Sequence, residues 1–326
     1  MKAILSTLLI AVQAASPLAA TDIHPGGFTD SVATDVNGRD EVILTATVVT
    51  DDEIQPPRAF VWRDGRRTEL RPLPGGYATL ARDINEHGVV VGFSQAGPID
   101  VRPCLWRHGK PLELAPAGIA LAVNDRDEVV GDLQTLTGSN GFLWARNKLV
   151  VVGTGRSASG INNRTQVIGV RNLRTGRRGF LWDKGTTTDL GTLGGLESVP
   201  ADINERGWIV GTSQTAAGVS HAFLWRDGRM TDLGPGGAVA VNDDGLVVGS
   251  NHSGGSFRWR AGRRTELAGS MSDVNERGWI AGSVNGRAVL IKGGRTVTDG
   301  RSAGVFSLNE KGTLAGAVRD HATVWR

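Results

Sequence analysis

The sequence predicts an all-β protein, an eight-bladed β-propeller of four-stranded blades whose ring is closed by a strand from the N-terminal segment. Three observations predict it. One phrase recurs eight times: an apolar residue, Asn, a short polar turn with Gly, then Val/Ile-rich residues ending in Gly. Its asparagines are Asn37, Asn85, Asn124, Asn162, Asn204, Asn242, Asn275 and Asn309, spaced 33 to 48 residues apart. Seven of the nine tryptophans (62, 106, 144, 182, 225, 259 and 325) fall at one place in that repeat. No apolar period of 3.6 residues runs to helical length after residue 20. Four-stranded units of about 40 residues repeated in series are the sequence pattern of a propeller.

Within each unit the elements follow in order, and the fifth shows them most fully. Strand A ends at the asparagine (201–204). Strand B is Trp-Ile-Val-Gly-Thr-Ser (208–213). Strand C is His-Ala-Phe-Leu-Trp (221–225), and strand D is Arg-Met-Thr-Asp-Leu-Gly (229–234). The residues are β-branched and aromatic, bounded by Gly, Asn and Asp, as strands are. Strands B and C carry continuous apolar runs, so both faces of each sheet must be covered. A parallel β-helix has shorter coils and lacks antiparallel hairpin turns such as Asp227-Gly228. The eighth unit reaches strand C at Trp325 and Arg326 follows it. Residues 21–27 align with 68–76. Thr21 to Pro25 is therefore expected to serve as a displaced strand D and to cover the last sheet's edge.

Composition bounds the function. The chain has 326 residues with 36 Lys+Arg against 33 Asp+Glu, a net charge of +3. That is too weak a field for general nucleic-acid binding, so no specific nucleic acid is expected. One cysteine, Cys104, excludes a disulfide framework and a cysteine zinc cage. Met1-Lys2, the apolar run Ala3 to Val12 and the small residues of 13–20 have the three-part layout of a secretory signal peptide. Residues 1–20 are accordingly expected to be an address, cut after Ala20 or, leaving a shorter signal, after Ala14. Residues 21–326 then form one domain without a transmembrane segment. The short basic start points to a bacterial chain, secreted or periplasmic.

The phrase from Asp202-Ile203-Asn204 through His221-Ala222-Phe223-Leu224-Trp225 to Thr231-Asp232-Leu233-Gly234 resembles the bacterial secreted HAF-repeat family. The resemblance spans essentially all of 21–326. It implies secretion and a repeat fold, and no catalytic residues, since the family is defined by its repeat. The family histidine stands only at His221 and His321. Arg58, Arg102, Arg178 and Arg287 replace it elsewhere, so it is not a repeated ligand.

Signatures of chemistry are sparse. The six histidines form no metal-binding pair, and Asp83-Ile84-Asn85-Glu86-His87-Gly88 lacks the closing Glu of a calcium loop. No Gly-x-Ser-x-Gly elbow exists. Gly153-Thr154-Gly155 opens no helix. Cys104 and the strand C tryptophans take core positions. No cofactor, metal or catalytic residue is expected. Binding is expected on the long B–C and D–A loops, which share one face. There the fourth unit packs Arg171, Arg174, Arg177 and Arg178 into eight residues, and Arg102 holds the equivalent loop two units earlier. Arginine clusters suit carboxylate, sulfate or phosphate. His221, His252 and His321 lie in or beside loops of the same face. The expected function is a binding module for an anionic polysaccharide, lipopolysaccharide or protein; the alternative is a propeller enzyme, a polysaccharide lyase or hydrolase. Asp35, Asp83, Asp202 and Asp273 recur with the repeat, which favours a structural role over catalysis.

Overall fold

The computed structural model describes residues 18–51, 53–136 and 138–326. Most of the expected signal peptide, residues 1–17, lies outside the described residues. All described regular structure is β, with no helix, so none is long and apolar enough to cross a membrane. Six sheets are four-stranded. A seventh has eight strands and divides into two sets of four, Gly118–Val123 to Lys148–Thr154 and Arg156–Ile161 to Thr186–Asp189, joined by the single bridge Asn140–Arg156. Counted this way the described residues form eight four-stranded sheets, numbered here in chain order from Asp30–Val36. Within each, A, B, C and D pair antiparallel in sequence. In the eighth, Ala20–Asp22 takes the place of strand D, Ala20 opposite Trp325 and Asp22 opposite Thr323.

The core is divided in the same way. Eight buried apolar clusters each lie between two consecutive sheets, including the eighth and the first. Each sheet thus buries both faces, which explains the continuous apolar runs of strands B and C. Trp62, Trp106, Trp144, Trp225 and Trp325 are buried in these layers, and Trp182 and Trp259 pack partly buried at their margins. The remaining two tryptophans have a different task. Trp208 and Trp279 lie against the turn glycines of the next sheet, Gly245 and Gly312.

The repeated asparagine explains the ring. Its side-chain oxygen accepts one or two N–H groups of its own turn, two in Asn204 and one in Asn242, and its side-chain N–H₂ donates to the backbone oxygen of the equivalent asparagine one sheet on, as from Asn204 to Asn242 at 2.9 Å. The series runs through all eight and returns from Asn309 to Asn37. The left-handed residue of the turn stands three positions after the asparagine, Gly207 (φ 79°) in the fifth turn and Asp40 (φ 62°) in the first.

Every strand A carries a β-bulge two to four residues before the asparagine, for example between Pro200 and Asp202. A bulge aims a carbonyl at strand B. At Gly211 a Cβ would sit 2.1 Å from the Val199 oxygen, and six other strand B glycines meet the same carbonyl. Seven of the eight units accordingly carry Gly there, as in Val-Val-Gly, and the first carries Leu44. Two expected loops are sheet instead. Residues 171–179 belong to the paired strands Val167–Leu173 and Gly176–Asp183, turning at Arg174-Thr175. Residues 194–200, expected as a D–A loop, open the strand Gly194–Ile203. Both segments keep backbone pairing beyond the ends of their apolar runs, where composition alone reads as loop.

Candidate functional site

Strand pairing in the fourth sheet builds a row of arginines. Arg156 on strand A lies directly opposite Arg171 on strand B, and Arg171 directly opposite Arg178 on strand C. Residues opposed in register share a face, so three guanidinium side chains leave one face in a row. Arg177 opposes Asn172 and leaves the other face, while Arg174 occupies the turn. The arginines the sequence grouped as one loop are thus split, and Arg156 joins the row. Nothing in the run 171–179 pointed to Arg156, fifteen residues before Arg171 and brought beside it only by A–B pairing.

The charge balance there is positive. Arg178 bonds Asp189 at 3.1 Å, and its buried Nε has no partner. Arg156 lies 5.4 Å from the centre of the Phe180 ring and donates to Thr187 Oγ1. The side chains of Arg171, Arg174 and Arg177 have no acidic partner among the described residues. Arg177 borders a cleft of about 280 Å³ shared with Glu197, Gln214 and Ser220. Like charges directly opposite across strands destabilise a sheet, so this row carries a free-energy cost that an anion would relieve.

The other expected site residues separate. Arg102 is two sheets away, forked onto Asp100 at 2.6 and 2.7 Å and 3.5 Å from Glu113. Asp100 holds that guanidinium charged, and its own carboxyl is lowered by the same bond. His221 pairs Asp232 at 2.9 Å, His321 pairs Asp22 at 2.8 Å, and His252 is exposed in a turn of the sixth sheet. No group of three acidic, histidine or cysteine side chains suited to a metal exists among the described residues.

These pairs disclose what His221 and His321 do. The residue four before the strand C tryptophan meets the acid of strand D diagonally. It does so as Arg58–Glu69, Arg102–Glu113, Arg178–Asp189, His221–Asp232 and His321–Asp22. His or Arg serves equally because each supplies a donor to a carboxylate. In the eighth sheet the acid comes from the N-terminal strand, and His24 also stacks on His321 with ring centres 4.0 Å apart. That seam borders a cleft of about 490 Å³ with Ser302, Arg319 and Asp320.

Around the axis the strand A acids are held by the next sheet. Asp83 accepts from Val123 N–H, Asp202 from Val241 and Asp273 from Leu308. Burial pushes Asp273 up to about 7 and also raises Asp202. Burial, then the Asp35 carboxyl hydrogen-bonded to it, raises Asp83 well above the usual carboxylate range. Each acid bonds backbone across a sheet boundary, which is the structural role its recurrence suggested.

No family model matches the chain, and no curated protein does. Solved structures do. Streptogramin B lyase superposes with a TM-score of 0.53 at 8% identity, over 95% of this chain and 98% of that one. The β-propeller domain of the Trilobed protease from Pyrococcus furiosus, described as having an open velcro topology, gives 0.57 at 10%, over 85% and 97%. Pyrococcus horikoshii acylaminoacyl peptidase gives 0.52 at 10%, over 89% and 57%. At these identities the likeness establishes the fold, a β-propeller, and carries no function.

Proposed function

We propose that the chain is a secreted or periplasmic binding module that engages an anionic polymer, an acidic polysaccharide or lipopolysaccharide, on the fourth sheet. The observation that carries this reading is the row Arg156–Arg171–Arg178, three opposed guanidiniums served by one carboxylate, with Arg174 and Arg177 at the adjoining turn. A polymer of fixed negative charge relieves that repulsion and matches the planar, forked donors of arginine. The resemblance to the HAF-repeat family and the layout of residues 1–20 support delivery outside the cytoplasm. The enzyme alternative has one feature in its favour, the Asp22–His321 pair beside a cleft. Its repetition as Arg–Glu pairs in other sheets makes it a cross-strand tie.

Affinity for an acidic polysaccharide and for lipopolysaccharide, measured at two salt concentrations, tests the proposal. Binding should weaken steeply with salt, because exposed charges are screened over about 10 Å at 0.1 M. Changing Arg171, at the centre of the row, and Arg174, at the adjoining turn, together to Ser should weaken it sharply while stability moves by less than about 0.5 kcal/mol per site, as exposed substitutions do. Equal affinity for a neutral glycan, or binding indifferent to salt, overturns the proposal.

A further inference from the structure

Leu18 lies within the stretch expected to be removed, yet it is 7% exposed and packs with Leu290, Val305, Leu314 and Trp325 between the seventh and eighth sheets. Ala19 and Arg326 exchange both backbone hydrogen bonds, at 2.9 and 3.1 Å, and Ala20 opposes Trp325. A cut after Ala20 would therefore strip the closing strand of its apolar anchor and of the paired residues that cover Trp325. Only Thr21 and Asp22 of the ladder would remain, followed by the single bond from Ile23 N–H to Ala322. The residue types agree. A leader peptidase reads small residues one and three places before the cut. Cleavage after Ala20 puts Leu18 at the second of these places, whereas cleavage after Ala14 offers Ala14 and Val12.

We infer that the mature protein keeps Leu18–Ala20, and that processing falls upstream of them, by hydrolysis of the Ala14–Ala15 peptide bond. Water adds across the carbonyl carbon and nitrogen, leaving the Ala14 carboxylate on the leader and a free ammonium on Ala15. Three residues, Ala15 to Pro17, then precede the buried leucine. This rests on the secretion reading and sharpens it: the closing strand is the chain's own new N-terminus, released by export.

Intact mass and N-terminal sequencing of the protein recovered from the periplasm or medium of a Gram-negative host test it. A first residue of Ala15 supports the inference. Thr21 overturns it and leaves secretion standing. An uncut chain retained in the cytoplasm overturns both. A second measurement is independent of export: chains expressed from Ala15 and from Thr21 are melted side by side. The longer chain should melt several degrees higher, and coincident melts refute the role given to Leu18–Ala20.

Discussion

Asn204 offers the sharpest test of how the ring is held. Its side chain makes three hydrogen bonds and is 6% exposed. Replacing Asn204 by Ala removes all three, with unequal consequences. The Arg206 N–H is on an exposed residue and finds water. The Asn242 oxygen keeps its bond from Gly245 N–H. The Trp208 N–H is stranded in a half-buried turn. One stranded donor costs about 1–3 kcal/mol and each lost bond about 0.5–1.5, so the loss should be about 2–4 kcal/mol. In a chain of this length that is a fall of roughly 5 °C in melting temperature. Asn204→Asp separates the two halves of the side chain. It preserves the acceptor for both N–H groups but, ionised, sets an oxygen against the Asn242 oxygen. Protonated, it donates to that oxygen as asparagine does. The folded state then binds its proton more tightly than the unfolded state, so stability is retained at low pH and lost as pH rises through the folded pKa. Melting followed by tryptophan fluorescence at pH 4.5, 6 and 7.5 reads this directly. A pH-independent deficit in Asn204→Asp, or an Asn204→Ala variant melting within a degree of the parent, refutes a contribution from the sheet-to-sheet bond.

Three further outcomes follow from the packing and the buried acids. Trp225→Ala should cost about 3–5 kcal/mol, and Trp208→Ala less, because Trp208 is half-exposed between Arg206 and Arg226; equal small losses in urea denaturation would contradict the core assignment. Gly211→Ala drives a Cβ to 2.1 Å from the Val199 oxygen and should destabilise far more than Gly228→Ala, whose surroundings are open, when the two are melted in parallel. Asp273, raised by burial, binds more protons folded than unfolded between its ordinary 3.8 and about 7. Parent stability should therefore fall across that window relative to Asp273→Asn and level off above it; parallel melting curves of the two against pH would rule this out.

The architecture was legible because it is written eight times. A repeated Asn or Trp averages out local ambiguity, and the fifth unit's predicted strands B, C and D fall within a residue or two of those observed. Contacts with no local signature were not legible. The second half of the asparagine's work reaches a backbone oxygen 33 to 48 residues away, or 272 where Asn309 returns to Asn37, and no local pattern points that far. Arg174 and Arg177 read as loop because polar, glycine-containing stretches do. In fact cross-strand backbone bonds carry the hairpin to its tip. Arg156 entered the candidate site purely through register. The salt bridges of Arg102 and Arg178 were hidden because the acids, Glu113 and Asp189, belong to a strand eleven residues on.

The asparagine series has a mechanical consequence. It circles the axis at the end where the A–B turns lie, each bond in series with the next and the last returning to the first. Toward the opposite end the links between neighbouring sheets differ from one boundary to the next, such as Ala59 N–H to Thr79, Met271 N–H to Ser256 and Ala322 N–H to Ser31. Outward strain at the asparagine rim is shared by eight like bonds at once. Loss of one side chain at the asparagine rim therefore breaks a single link of a closed series, and the seven that remain still tie the last sheet to the first.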